Sequence, residues 1–172
     1  MIAEAAFSEG YEVKTSELHG LSQRGGSVDV HVRFGKKIYS PLIGRGKADL
    51  ILGLEMQEAL RGLYFANSKT KFLINKQIMP IPMAKSTSEQ EMMNIFSKSL
   101  KNTVVVPAAE ICQKNLGTSV VSGIYLVSLA VFQGFIPLKP ASVIAAIKKV
   151  IAPKYFDLNK KTFDLAEQYG KK

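Results

Sequence analysis

Thiols, histidines and long apolar runs are all scarce in this chain, and each scarcity removes a class of function. Cys112 is the one cysteine among 172 residues. An internal disulfide is therefore excluded, and the sequence reads as that of a reducing, cytoplasmic compartment. One thiol also excludes an iron–sulfur cluster held by this chain alone, because such clusters ordinarily take several thiolates. His19 and His31 are the only histidines, and no Cys, Asp or Glu stands around them at metal-ligand spacing. Neither a GxSxG nucleophile motif nor a phosphate-binding P-loop occurs. The opening residues, MIAEAAFSEG, contain no basic n-region and no long apolar h-region, so no secretory signal is expected. The most apolar stretch, Val120 to Phe135, contains Ser122, Ser128 and Gln133 and is shorter than the roughly 20 residues a bilayer demands. It reads as a buried helix, and no membrane partner is expected.

What remains is a core-forming composition. Hydrophobic residues make up 47% of the chain, enough for one packed domain over residues 1–172. The net charge is +9, from 23 cations against 14 carboxylates, which by itself would permit nucleic-acid binding. The cations are spread along the chain, however, in pairs such as Lys36–Lys37 and Lys148–Lys149, without an interleaved stacking-aromatic motif. A solvated surface, or attraction to an acidic partner protein, accounts for them better than a nucleic acid does.

The hydrophobic period switches repeatedly between about two and about three and a half, the mark of an α/β domain. Residues 2–9 form a helix ended by Gly10, and Tyr11 to Thr15 a short strand. Val28, Val30, Val32 and Phe34 alternate with Asp29, His31 and Arg33, and Gly35 offers a tight turn into Lys37–Tyr39, so these two segments are expected to form a hairpin. Leu50 to Leu54 is a continuous apolar strand feeding a helix whose inner face is Met56, Ala59, Leu60, Leu63 and Tyr64. Lys71–Asn75 and Thr103–Val106 are further strands. Ser88 and Glu91 make a capping box opening a helix that buries Met92, Ile95, Phe96 and Leu100. The remainder is helical. The expected fold is α/β and three-layered, a mainly parallel sheet with an antiparallel hairpin and helices on both faces.

The most unusual stretch runs from Glu17 to Ser27, ELHGLSQRGGS. It is polar, glycine-rich and set between strands, where a parallel sheet presents its binding crevice. Gly25 and Gly26 allow backbone N–H groups to turn toward a ligand or partner, and Arg24 offers a forked donor for carboxylate or phosphate. His19 titrates near neutrality in its ordinary state. The bland alternative is a structured loop in which Arg24 pairs internally. Glu55, at the end of a buried strand, is either a site carboxylate or a first-turn helix charge. Cys112 reads as an inert buried thiol.

These same residues carry a resemblance. The run Glu17 to Val28, followed by His31-Val-Arg-Phe-Gly, Tyr39-Ser-Pro-Leu-Ile, Ala48-Asp-Leu-Ile-Leu-Gly-Leu-Glu and Glu58-Ala-Leu-Arg, resembles the gamma domain of 2-oxoacid:ferredoxin oxidoreductases. The wording HGLSQRGGSV is most similar to the small subunit of the indolepyruvate type. The match is specific in the first third and looser afterwards. The family's usual first strand and its GxGGQG turn are absent ahead of the first helix, and Ser122 stands where an asparagine is common.

The resemblance implies a fold like domain III of pyruvate-ferredoxin oxidoreductase. It implies a small subunit supporting oxidative decarboxylation of a 2-oxoacid, indolepyruvate before pyruvate, 2-oxoglutarate or branched-chain oxoacids. Thiamine diphosphate, Mg and [4Fe-4S] clusters are expected on a large partner subunit and none on this chain, with coenzyme A as co-substrate and ferredoxin as acceptor. His19, Gln23, Arg24, Gly25, Gly26, Ser27 and Glu55 are then the candidate substrate, coenzyme A or interface residues. A stand-alone nucleotide- or coenzyme-binding module is the competing reading. It requires measurable ligand binding by the isolated chain, whereas a nucleic-acid binder requires steeply salt-dependent affinity for DNA or RNA.

Overall fold

The computed structural model of the chain describes residues 1–19, 27–79, 87–99 and 102–170, with His19 and Ser99 described at the backbone only. Helix α1 (Ile2–Ser8) comes first and ends at Gly10, which takes a φ of 83°. Strands β1 (Glu12–His19) and β2 (Val28–Gly35) then pair antiparallel, Glu12 opposite Gly35 and His19 opposite Val28. This corrects the expected hairpin: β2 pairs backward with β1, and Lys37–Tyr39 forms no strand. Valine alternation identified β2 but not its partner. The backbone N–H of Ile38 donates to the Glu12 carboxylate at 3.1 Å, which draws the chain after Gly35 away from β2.

A second sheet holds β3 (Leu50–Gly53), β4 (Lys71–Asn75) and β5 (Thr103–Val106), all parallel in the order β3-β4-β5. Helices α2 (Met56–Arg61) and α3 (Glu89–Ser99) lie on one face, and α4 (Ala108–Leu116), α5 (Ser122–Phe132), α6 (Pro140–Val150) and α7 (Phe156–Gly170) are on the other side. Strand periodicity divides the two cores. Phe72 and Ile74 of β4 turn toward Met56, Ala59, Met92 and Phe96, whereas Leu73 turns toward Tyr125, Leu129 and Ala108. The three layers expected from the sequence are present.

Local chemistry sets the boundaries. Ser88 and Glu91 exchange the expected capping contacts, Ser88 N to Glu91 Oε2 at 2.9 Å and Glu91 N to Ser88 Oγ at 3.3 Å. The Ser88 backbone N–H, and then its hydroxyl at 2.8 Å, both donate to the Glu91 carboxylate and hold it below its ordinary range. Gly117 closes α4 in the left-handed conformation, φ 76°. Two expected inner-face residues are not inner. Ile95 is partly exposed, and Tyr64 is exposed because α2 ends at Arg61 and tightens into a 3-10 turn over Gly62–Phe65. Leu100 lies outside the described residues.

Candidate functional site

The expected loop lies in sequence between β1 and β2, strands that pair with each other and not with the parallel sheet. Gln23, Arg24, Gly25 and Gly26 lie outside the described residues. His19 is the last residue of β1, in register with Val28. Ser27 follows the loop, and its hydroxyl donates to the Glu58 carboxylate of α2. Arg61 approaches the same carboxylate, Nε to Oε1 at 3.4 Å. Glu58 therefore ties the loop's exit to the helix that follows β3.

Glu55 is buried and caps α2. Its backbone is extended, with φ −150° and ψ 163°, and its carboxylate accepts from the N–H groups of Gln57 and Glu58. The carboxylate satisfies orphan amides of the first turn and opposes the helix dipole. Glu55 and Ser27, far apart in sequence, thus meet through Glu58: one binds its backbone N–H, the other its side chain.

At the carboxyl end of the parallel sheet the organising residue is Asn75. Its Nδ2 donates to Leu54 O at 3.1 Å and to Gln77 Oε1 at 3.0 Å, and its Oδ1 accepts from Ala109 N at 3.1 Å. One amide joins the end of β3 to the start of α4. Glycine at 53 keeps this end compact, because a Cβ there would sit 2.6 Å from Ala59 Cβ. Sequence reasoning assigned no site role to Glu58 or Asn75. A polar residue closing the apolar run Phe72-Leu73-Ile74 was a signal for Asn75, but nothing local marks Glu58, whose partner Ser27 is 31 residues away.

Chemically, the described part of this region orders backbone and leaves both glutamates engaged. No group of three metal-ligating side chains occurs among the described residues. Cys112 is buried, and loss of solvation pushes its thiol up to about 11, so it stays neutral and unreactive. A lone neutral thiol does not fit the ligand set of an iron–sulfur cluster.

The geometry defines a class: a three-layer α/β domain that carries a polar, glycine-rich loop on a hairpin stem. The chain belongs to the pyruvate ferredoxin/flavodoxin oxidoreductase family, whose profile matches residues 1–169. Indolepyruvate oxidoreductase subunit IorB of Archaeoglobus fulgidus is 34% identical over 170 residues, covering 96% of this chain and 84% of the relative. Among solved structures, the gamma subunit of a keto/oxoacid ferredoxin oxidoreductase from Geobacter sulfurreducens superposes with a TM-score of 0.70 at 16% identity, over 98% of this chain and 86% of that one. A 2-oxoglutarate:ferredoxin oxidoreductase from Magnetococcus marinus, solved with 2-oxoglutarate, coenzyme A and succinyl-CoA, matches with a TM-score of 0.70 at 12% identity, over 99% of this chain and 27% of that one. At such identities the structural likeness establishes the fold.

Proposed function

We propose that this chain, acting as one gamma-type domain, is the small subunit of a 2-oxoacid:ferredoxin oxidoreductase, with indolepyruvate or a related aryl-pyruvate as substrate. The complex would decarboxylate the 2-oxoacid oxidatively, release carbon dioxide, join the acyl group to coenzyme A and pass two electrons to ferredoxin. Thiamine diphosphate, bound with Mg on the large subunit, would supply the carbanion-stabilising chemistry, and the [4Fe-4S] clusters would lie there as well. This chain's part is to bind and orient.

One observation carries the reading: the hairpin stem below the loop leaves Leu18, Val28 and Val30 half exposed. Cross-strand pairing puts Val28 and Val30 on one face of the ribbon and Leu18 on the other. A two-stranded ribbon is marginal on its own, and one with apolar side chains exposed on both faces fits a groove in a larger protein. Docked in this way, His19, Gln23, Arg24, Gly25, Gly26 and Ser27 would reach the partner's substrate or coenzyme A channel. Arg24 would orient a carboxylate or phosphate, and the glycines would admit close backbone approach. Glu55 and Glu58 would hold the loop's exit in place. A cytoplasmic complex accords with the lone thiol.

The test is co-expression with a thiamine- and cluster-bearing large subunit, purification through a tag on this chain, and assay of 2-oxoacid-dependent ferredoxin reduction. Coenzyme A-dependent activity in the copurified complex is expected, reduced at least about tenfold by Arg24→Ala. A large subunit equally active without this chain would sink the proposal.

A further inference from the structure

Resting on the subunit reading, we infer that the strap from Lys36 to Lys47 is a second docking surface, built to receive an acidic face of the same large subunit. The charge distribution leads to it. Residues 30–48 contain five cations and not one carboxylate, so 19 residues supply more than half of the net charge of +9. Arg33 is engaged inward, its Nη1 donating to Ser40 O at 2.8 Å and Leu42 O at 3.2 Å. Lys36, Lys37, Arg45 and Lys47 are exposed, and none of the four makes an ion pair with a described carboxylate. Elsewhere Lys76, Lys149 and Lys160 each find an acidic neighbour within this chain.

The strap also holds a fixed shape. Ile43 N donates to His31 Nδ1 at 3.0 Å, Gly46 N to Tyr64 O at 3.2 Å, and Asn67 Nδ2 to Gly46 O at 2.8 Å. His31 itself is buried edge-on against Phe65. Between the cations stand exposed rings: Tyr39, 82% exposed with Lys37 over its face, and Tyr64 beneath Arg45. Tyrosine and arginine on a pre-ordered backbone are what a protein interface favours, since little side-chain or loop ordering remains to be lost on binding. Apart from the Glu12 carboxylate at Ile38 N, already bonded to the backbone and paired with Lys14, no described carboxylate engages the strap, so its cations supply the complementary field. The strap lies against β2 through the side chains of His31 and Arg33, which share the ribbon face of Leu18, while Val28 and Val30 occupy the opposite face. One partner gripping the hairpin would therefore meet both surfaces.

Assembly of the tagged full chain with the large subunit tests this. Affinity should fall at least about thirtyfold between ~50 mM and ~300 mM salt. The K36E/K37E/R45E/K47E variant should bind at least about thirtyfold more weakly at low salt, with most of the salt dependence gone. The charge-matched K98E/K114E/K148E/K154E variant should stay within about threefold of wild type. If the quadruple strap variant loses its circular dichroism spectrum, K36E/K37E replaces it, with about a fivefold effect expected. Equal losses from both quadruple variants would overturn the strap in favour of diffuse charge. So would a strap variant that assembles normally, including one that does so and shows a raised KM for ferredoxin, which would reassign the surface to the electron carrier. A wild-type chain that fails to assemble at all would remove the subunit reading and this inference with it.

Discussion

Asn75 is 1% exposed, and its three hydrogen bonds reach Leu54, Gln77 and Ala109. Asn75→Ala would leave the Leu54 carbonyl and the Ala109 N–H short of a partner at the buried end of the sheet, costing about 2–3 kcal/mol. The urea midpoint should fall with the m-value unchanged, and an unaltered midpoint would show that water replaces the amide. Gly53→Ala meets a different obstacle. The added carbon would lie 2.6 Å from Ala59 Cβ and 3.3 Å from Ile74 Cγ2, so overpacking of about 1–3 kcal/mol is expected. Cys112 gives a pH dependence with a definite sign. Burial raises its folded value from 9.0 to about 11, so the native state favours the neutral thiol. That contribution is complete below pH 9.0 and is lost as pH rises toward about 11. Tyr125, pushed up to about 12 by burial, acts in the same direction at higher pH. Cys112→Ala should therefore flatten the alkaline decline in stability above pH 9.0, and an identical decline in both proteins would contradict it.

Elements were legible where their signal is local and illegible where it depends on a distant partner. The Ser88–Glu91 capping box, the left-handed Gly117 and the apolar runs of β3, β4 and β5 all depend on residues within a few positions, and all appear as expected. The hairpin depends on pairing between segments separated by residues 20–26. The sequence offered Gly35 as a nearer turn, and the structure rejected it. The described surroundings of the candidate site were legible only in part for the same reason. Glycine content and Arg24 singled out the loop, but Glu58, its link to the body, is visible only once α2 packs beside Ser27. Glu58→Ala should cost under about 1 kcal/mol globally, because the carboxylate is partly solvated. Its effect belongs to the hairpin. Amide exchange from Val28 to Val30 should quicken while β4 stays protected. Exchange that rises uniformly, or not at all, would mean that Glu58 does not hold the hairpin in place.

At the scale of the whole molecule, two cores share one three-stranded sheet, and the hairpin stands outside it, anchored at its base where Val13 and Phe34 pack with the larger core. This division lets folding and assembly be separated by mutation. Val28→Thr with Val30→Thr preserves side-chain shape, keeps β-branching for the strand and places two hydroxyls where solvent already reaches. Isolated-chain stability should change by less than about 0.5 kcal/mol, as for other exposed substitutions. Binding to the large subunit should weaken at least about tenfold, because each hydroxyl would be desolvated in the groove without a partner. Val143→Thr, at a buried position of α6, should do the reverse: the melting temperature falls, and affinity below that temperature holds. Measuring midpoint and affinity on both variants separates a docking surface from a part of the core. If the hairpin pair instead destabilised the isolated chain as Val143→Thr does, the exposed valines would belong to this protein's own packing, and the argument for a partner groove would fall.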